Sequence, residues 1–332
     1  MPRAAKEILF IAGAVLVALA LVELGLRLAG IDPGKISPHF DVESASSWSQ
    51  TDARLGWRNR PGAARSSECG QFTMNFREDS SRNAPSEPDT LPSVLFFGAS
   101  YVQGYGVPDE DTFVEQLNRT VPGRGFRSYG TGGYNTLQSR LLAEEVLAGR
   151  PPGQPPARVV YGFTQGDTGR NVARGSNVVK LRGPGGRFAV PPHLRISDGK
   201  ERLLPAEHIE AWPGAQHLAI AVLLQRTAIL ARFRSDEAES FAASRRLAEQ
   251  FADAMEARGL RFDVVIFDSE DAVRDAVFGD SSLNPIDCRY EDRPELTVCG
   301  DGRGHPGAQV HAYWAKCVLD HLSGPDTGPR AS

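Results

Sequence analysis

The chain has 332 residues, with 41 acidic and 37 basic side chains, a formal net charge of -4, 41% apolar residues and 23% charged ones. That balance excludes collagen-like and wholly disordered chains and leaves no basic footprint for nucleic acid. At about 150 residues per domain, the length allows one large domain or two small ones, either able to bury an adequate core.

Ile8 to Val22 carry no charge and follow Arg3 and Lys6. Fifteen residues fall short of the roughly 20 that cross a bilayer core of about 30 Å. The apolar pattern runs on to Ala29, however, which makes 22 residues from Ile8. Glu23 and Arg27 stand four apart in the favourable order for a helical pair, near the far end where such side chains reach headgroups. Residues 1–30 therefore read as an N-terminal anchor with its positive end in the cytoplasm and the rest of the chain outside. The competing reading is a cleaved signal peptide, because Ala18-Leu19-Ala20 offers small residues at the right spacing. The Gly30-Ile31-Asp32-Pro33-Gly34 exit argues against a core helix of a cytosolic domain.

Residues 31–90 are polar and punctuated, and are expected to form a stem and a small irregular lobe around residues 55–62. Trp48 and Trp57 are expected to pack that lobe onto the main domain. From residue 91 the pattern changes. Val94–Phe97, Val159–Phe163 and Phe262–Phe267 are short apolar runs of the kind buried strands show. Helical stretches separate them at 111–120, 137–147 and 241–258, the last followed by Gly259 at a capping position. Alternating strands and helices predict an α/β fold, a three-layer α/β/α sandwich with a mostly parallel central sheet, over residues 91–322. Such sheets place their chemistry beyond the carboxyl ends of the strands, here 98–104 and 162–167. An insertion at 168–235 reads as a hairpin followed by an apolar helix from His217 to Phe233, too short and charged to span a bilayer. Residues 323–332 are polar and rich in Gly and Pro, and disorder is expected there.

Ser100 directly follows a buried run, among glycines that allow a sharp turn, so its hydroxyl is expected at the top of the sheet with its own N–H free to donate. The segment lacks the second glycine of G-x-S-x-G, where Val102 stands, and no phosphate-binding loop is present. Near the other end, His305 sits in the glycine-rich run Cys299–Pro306 just before a helix spanning 310–322, where an imidazole can reach another strand end. An acid shortly before it would fix its tautomer. His39, His193, His208, His217, His311 and His321 show no metal-ligand spacing, and neither a metal nor a cofactor is expected. Four cysteines fit an oxidising compartment. Cys288 and Cys299, eleven apart, are placed for a bridge that braces the loop before His305. Cys317 is open to two readings, a second bridge with Cys69 or a buried free thiol.

Over about residues 55–322 these features resemble the SGNH (GDSL-type) hydrolases, particularly the bacterial membrane-anchored members. The segment GASYVQGYGVPDEDTFVEQL resembles the nucleophile block, with Ser100 at the serine and Gly104 at the later glycine, though Gly-Ala-Ser replaces Gly-Asp-Ser. SYGTGGYNTLQ resembles the second block, with Gly133 at the glycine whose N–H helps form the oxyanion hole. GFTQGDTGRN resembles the third block and DGRGHPGAQVHAYWA the last, with His305 at the catalytic base. LGWRNRPG resembles the extracytoplasmic lead-in. The resemblance implies a flavodoxin-like fold and ester chemistry through an acyl-enzyme, with Ser100, Gly133 and Gly166 lining the oxyanion hole. It also implies a single-pass protein of the bacterial inner membrane with a periplasmic catalytic domain. Two departures stand out. Gly166 occupies the place of an oxyanion-donating asparagine. Asp301 lies four residues before His305 rather than three, so either a bulge restores the triad or Ser100 and His305 act as a dyad. The implied substrate is an O-acetylated glycan or a small acyl ester. An O-acyltransferase acting on an envelope or exported polysaccharide, or a decayed glycan-binding scaffold, are the alternatives. The sequence names no protein partner.

Overall fold

The computed structural model describes residues 2–31, 33, 40–41, 48–66, 72–88, 92–182, 187–197, 199–291, 293–298 and 304–322. At its centre is a five-stranded sheet formed by β1 (Val94–Gly98), β2 (Phe126–Ser128), β3 (Arg158–Thr164), β4 (Arg261–Asp268) and β5 (Ile286–Asp287), in the order β5-β4-β3-β1-β2. All four pairings are parallel. This is the flavodoxin-like order 2-1-3-4-5, whose switch point lies between β1 and β3.

Ten helices accompany the sheet among the described residues: α1 (Arg3–Leu28), α2 (Ser100–Gln103), α3 (Phe113–Thr120), α4 (Thr136–Ala148), α5 (Gly166–Asn171), α6 (Gly175–Val178), α7 (Ala219–Arg232), α8 (Glu237–Glu256), α9 (Asp271–Phe278) and α10 (Ala308–Leu322). Alternation along the strands sorts them into two layers. Leu95, Phe97, Tyr161, Val264 and Ile266 pack against Leu142 of α4, Phe251 of α8 and Phe278 of α9. Val94, Phe96, Val160, Val265 and Phe267 pack against Phe113 and Leu117 of α3 and Trp314 and Val318 of α10. Burying each such side chain contributes roughly 1.5–3 kcal/mol. The central strands are covered on both faces, which explains why they read as continuous apolar runs.

The lead-in region forms two antiparallel hairpins, Ser49–Asp52 with Gly56–Asn59 and Gly62–Ser66 with Phe72–Phe76. Trp57 is fully buried, donates its indole N–H to the Gly132 carbonyl at 2.9 Å and meets Tyr134 edge-on. In the insertion, His193–Ser197 pairs with Lys200–Leu204 as a hairpin, and α7 follows. Helix α1 has 26 residues and a mean hydropathy of 2.6 in its most apolar window. At 1.5 Å per residue it is about 39 Å long, more than a bilayer core needs. By length and composition it is a candidate membrane span or signal sequence.

The expected Cys288–Cys299 bridge is not formed, because Cys288 is bonded to Cys317 across a sequence separation of 29. Cys288 leaves the β5 edge fully buried, and its carbonyl accepts from the Trp314 indole at 3.1 Å. Trp314 lies three residues before Cys317 on α10, so the helix face already on the sheet edge brings that sulfur to Cys288. Cys317 is thus no free thiol. Cys69 and Cys299 lie outside the described residues, as does the tail 323–332. Closing a loop of this length stabilises the fold by about 3–4 kcal/mol on chain-entropy grounds. A Cys288→Ser/Cys317→Ser protein is expected to lose about 2–4 kcal/mol in urea unfolding.

Candidate active site

Strand β1 ends at Gly98, and the chain turns through the extended Ala99 into α2. Gly98 stands opposite Gly162 of β3. A Cβ on either would come within 2.6 or 2.4 Å of the Val102 methyl. Both glycines are therefore needed for α2 to fold back onto the strand ends. The turn places half-buried Ser100 beside the crevice at the switch point, where open α/β sheets bind ligands. Ser100 is the first residue of α2, and first-turn amides have no partner within their helix. Among the described residues its N–H has no acceptor.

The His305 Nε2 lies 3.1 Å from the Ser100 Oγ. The imidazole is carried by a short antiparallel pair, Thr297–Val298 with His305–Pro306, and Gly307 N–H donates to the Leu296 carbonyl at 2.8 Å. Two tyrosines meet the ring edge-on, Tyr101 at 5.9 Å and Tyr105 at 4.7 Å between centroids. Tyr105 is backed in turn by Trp48 and Phe72 from the lead-in region. At Gly106, where φ is +105°, a Cβ would press within 2.6 Å of Val298 and 3.3 Å of the His305 Cβ. The loop leaving α2 thus forms part of the imidazole's support, a role the sequence reading missed in both tyrosines.

Arg82 is the other residue it missed. Its side chain is 1% exposed and its Nε donates to Asp109 at 2.6 Å. Its remaining nitrogens donate to the carbonyls of Gln103 (3.1 Å), Gly104 (3.2 Å) and Val107 (2.9 Å). One buried guanidinium therefore fixes the whole exit of α2. Asp109 is held by Asn75 through its backbone N–H at 3.1 Å and its amide at 2.7 Å. From the opposite side, Gln103 donates to Asn59 at 2.7 Å, and the Ser128 hydroxyl donates to the Val102 carbonyl at 2.7 Å.

The loop after β2 reaches the same crevice, where Thr131 N–H donates to the Gly98 carbonyl at 3.0 Å. Gly133, two residues on, has φ +74° and an N–H without an acceptor among the described residues. At the end of β3, a Cβ on Gly166 would stand 2.9 Å from an Arg170 nitrogen. The Arg170 guanidinium thus takes the space that an asparagine side chain would need there. It donates to Asp167 at 2.7 Å and to Thr164 at 3.2 Å. Asp167 is 1% exposed and also accepts from Tyr161 O–H at 2.7 Å and Thr164 N–H at 3.1 Å. Burial pushes its carboxyl up, against the pull of Arg170. Asp167 is oriented inward and organises the β3 terminus. Asp301 lies outside the described residues.

Beneath the site, His311 of α10 is fully buried and its Nδ1 accepts from Phe113 N–H at 3.3 Å. Burial, with Arg82 and His305 nearby, pushes its pKa down to about 3. A native pKa below the unfolded value of about 6.5 means that the unfolded chain binds the proton more tightly. This stabilisation is complete above about pH 6.5 and declines toward pH 3. The Tm is therefore expected to fall on acidification through that window, and His311→Gln, measured by calorimetry across the same pH range, is expected to flatten the fall.

No family model and no curated protein matches the sequence. Solved structures with partial likeness include a G-D-S-L-family protein from Desulfitobacterium hafniense (TM-score 0.36, 9% identity, covering 68% of this chain and 98% of that one). A member of the lipolytic protein G-D-S-L family from Veillonella parvula gives a TM-score of 0.32 at 13% identity, over 70% of this chain and 98% of its own. The acetyl xylan esterase Est2A from the rumen bacterium Butyrivibrio proteoclasticus gives 0.39 at 12% identity, over 71% of this chain and 64% of its own. Likeness at this level says nothing of substrate, and what this chain can do follows from its own site.

Proposed function

We propose that the protein is a membrane-anchored, extracytoplasmic serine esterase of the SGNH type that deacylates an O-acetylated glycan or a small acyl ester. The observation that carries this reading is the 3.1 Å approach of His305 Nε2 to Ser100 Oγ at the carboxyl end of β1. Nucleophile and base must lie within about 2.6–3.2 Å for the proton to move. Ser100 Oγ attacks the acyl carbon while His305 takes its proton. The N–H groups of Ser100, Gly133 and Gly166 receive the oxyanion. His305 then protonates the departing alcohol, and water repeats the sequence to release the acid and free Ser100. Each oxyanion donor is worth about 10²–10³ in rate. The apolar helix α1 and the Cys288–Cys299-excluding bridge between Cys288 and Cys317 support a location in an oxidising compartment outside the cytoplasm.

The test is turnover of an acetyl aryl ester by the purified full chain in detergent. Release of acetate in step with the aryl alcohol supports hydrolysis. Acetylation of Ser100 that turns over only when a sugar hydroxyl is supplied would move the assignment to O-acyl transfer, and no acylation at all would leave the scaffold reading.

A further inference from the structure

Helix α7 is apolar on two faces. Ala219, Val222, Gln225 and Ile229 are buried against the domain. On the other side Ile220, Leu223, Leu224, Thr227 and Leu230, spaced i, i+3, i+4, i+7 and i+10, form one stripe. The three leucines are between 38% and 53% exposed. The Thr227 hydroxyl is spent on the Leu223 carbonyl at 2.9 Å, so the stripe offers no unpaired polar group. Trp212, 43% exposed, lies in the segment that leads into α7, where its backbone N–H donates to Gln225, which donates back to the Glu210 carbonyl. An apolar face of this kind on a water-soluble surface marks an interaction site.

What covers the stripe follows from where α7 begins. Glu23 of α1 accepts from the first-turn N–H groups of Ala219 at 2.8 Å and Ile220 at 3.1 Å, capping α7. Arg27 pairs with Glu23 at 2.7 Å and donates to the His217 carbonyl. The start of α7 is thus pinned five residues before the end of α1 at Leu28, about 7.5 Å down the helix axis. With α1 spanning the bilayer, the start of α7 therefore lies at the headgroup level that Glu23 and Arg27 reach, where interfacial amphipathic helices bind. We propose that α7 and Trp212 dock on the outer leaflet of the membrane that α1 crosses, so that the catalytic domain is seated on the bilayer at two points. This rests on the reading of α1 as a retained span.

The test reconstitutes the full chain in phosphatidylcholine vesicles and reads Trp212 emission, taken as the difference from Trp212→Phe, with acyl chains brominated or not. Trp212 is expected to lose most of its intensity in brominated vesicles, and Leu224→Glu/Leu230→Glu is expected to restore it without changing turnover of a soluble ester. Protein that floats with the vesicles while Trp212 stays bright would overturn the docking and leave the anchor intact. Protein that does not float would overturn both.

Discussion

Ser100→Ala and His305→Ala are each expected to lower kcat on an acetyl aryl ester by about 10⁴–10⁶-fold, and the double variant to fall no further. The reason is geometric. In the proposed mechanism the two groups form one proton-transfer unit across the 3.1 Å contact, so once either is gone the other has no chemical step to assist. KM is expected to change little, because neither side chain fills the crevice that receives the rest of the substrate. Losses that multiplied in the double variant would mean that the two act independently, contrary to the mechanism. Steady-state kinetics on the three proteins, with circular dichroism to confirm folding, reads the outcome.

Arg82→Met is expected to have the largest effect on stability, about 3–5 kcal/mol in chemical unfolding and a Tm lower by roughly 6–20 °C. The substitution leaves Asp109 buried without its cation and three carbonyls of the α2 exit without donors. Buried polar groups stripped of partners cost about 1–3 kcal/mol each. Because that exit holds Tyr105 against His305, kcat is expected to fall more than KM rises. Removing both charges, as Arg82→Met/Asp109→Leu, is expected to recover part of the stability, since replacing a whole buried pair costs less than breaking it.

The parts of the fold that were legible in the sequence are those whose burial is local. β1, β3 and β4 are covered on both faces and read as unbroken apolar runs. The edge strands β2 and β5 have three and two residues, too few to show a period, and only their neighbours define them. Ser100 and His305 stood out because glycine turns flank both. Arg82 stood in a Ser- and Asp-rich stretch that reads as solvated, and nothing local tells a buried arginine from an exposed one. Its partners Asp109, Gln103, Gly104 and Val107 come from 21 to 27 residues away. The cysteine pairing failed for a related reason. Proximity in sequence favoured Cys288 with Cys299, whereas the packing of α10 on the sheet edge brings Cys317 to Cys288.

The proposed mechanism makes Ser100 a nucleophile activated by His305. Its most direct measurement is intact-protein and peptide mass spectrometry after treatment with an aryl fluorophosphonate. One phosphonyl adduct is expected, mapped to Ser100, absent in Ser100→Ala and formed far more slowly in His305→Ala. An adduct on another residue, or equal labelling of the wild-type and His305→Ala proteins, would contradict it.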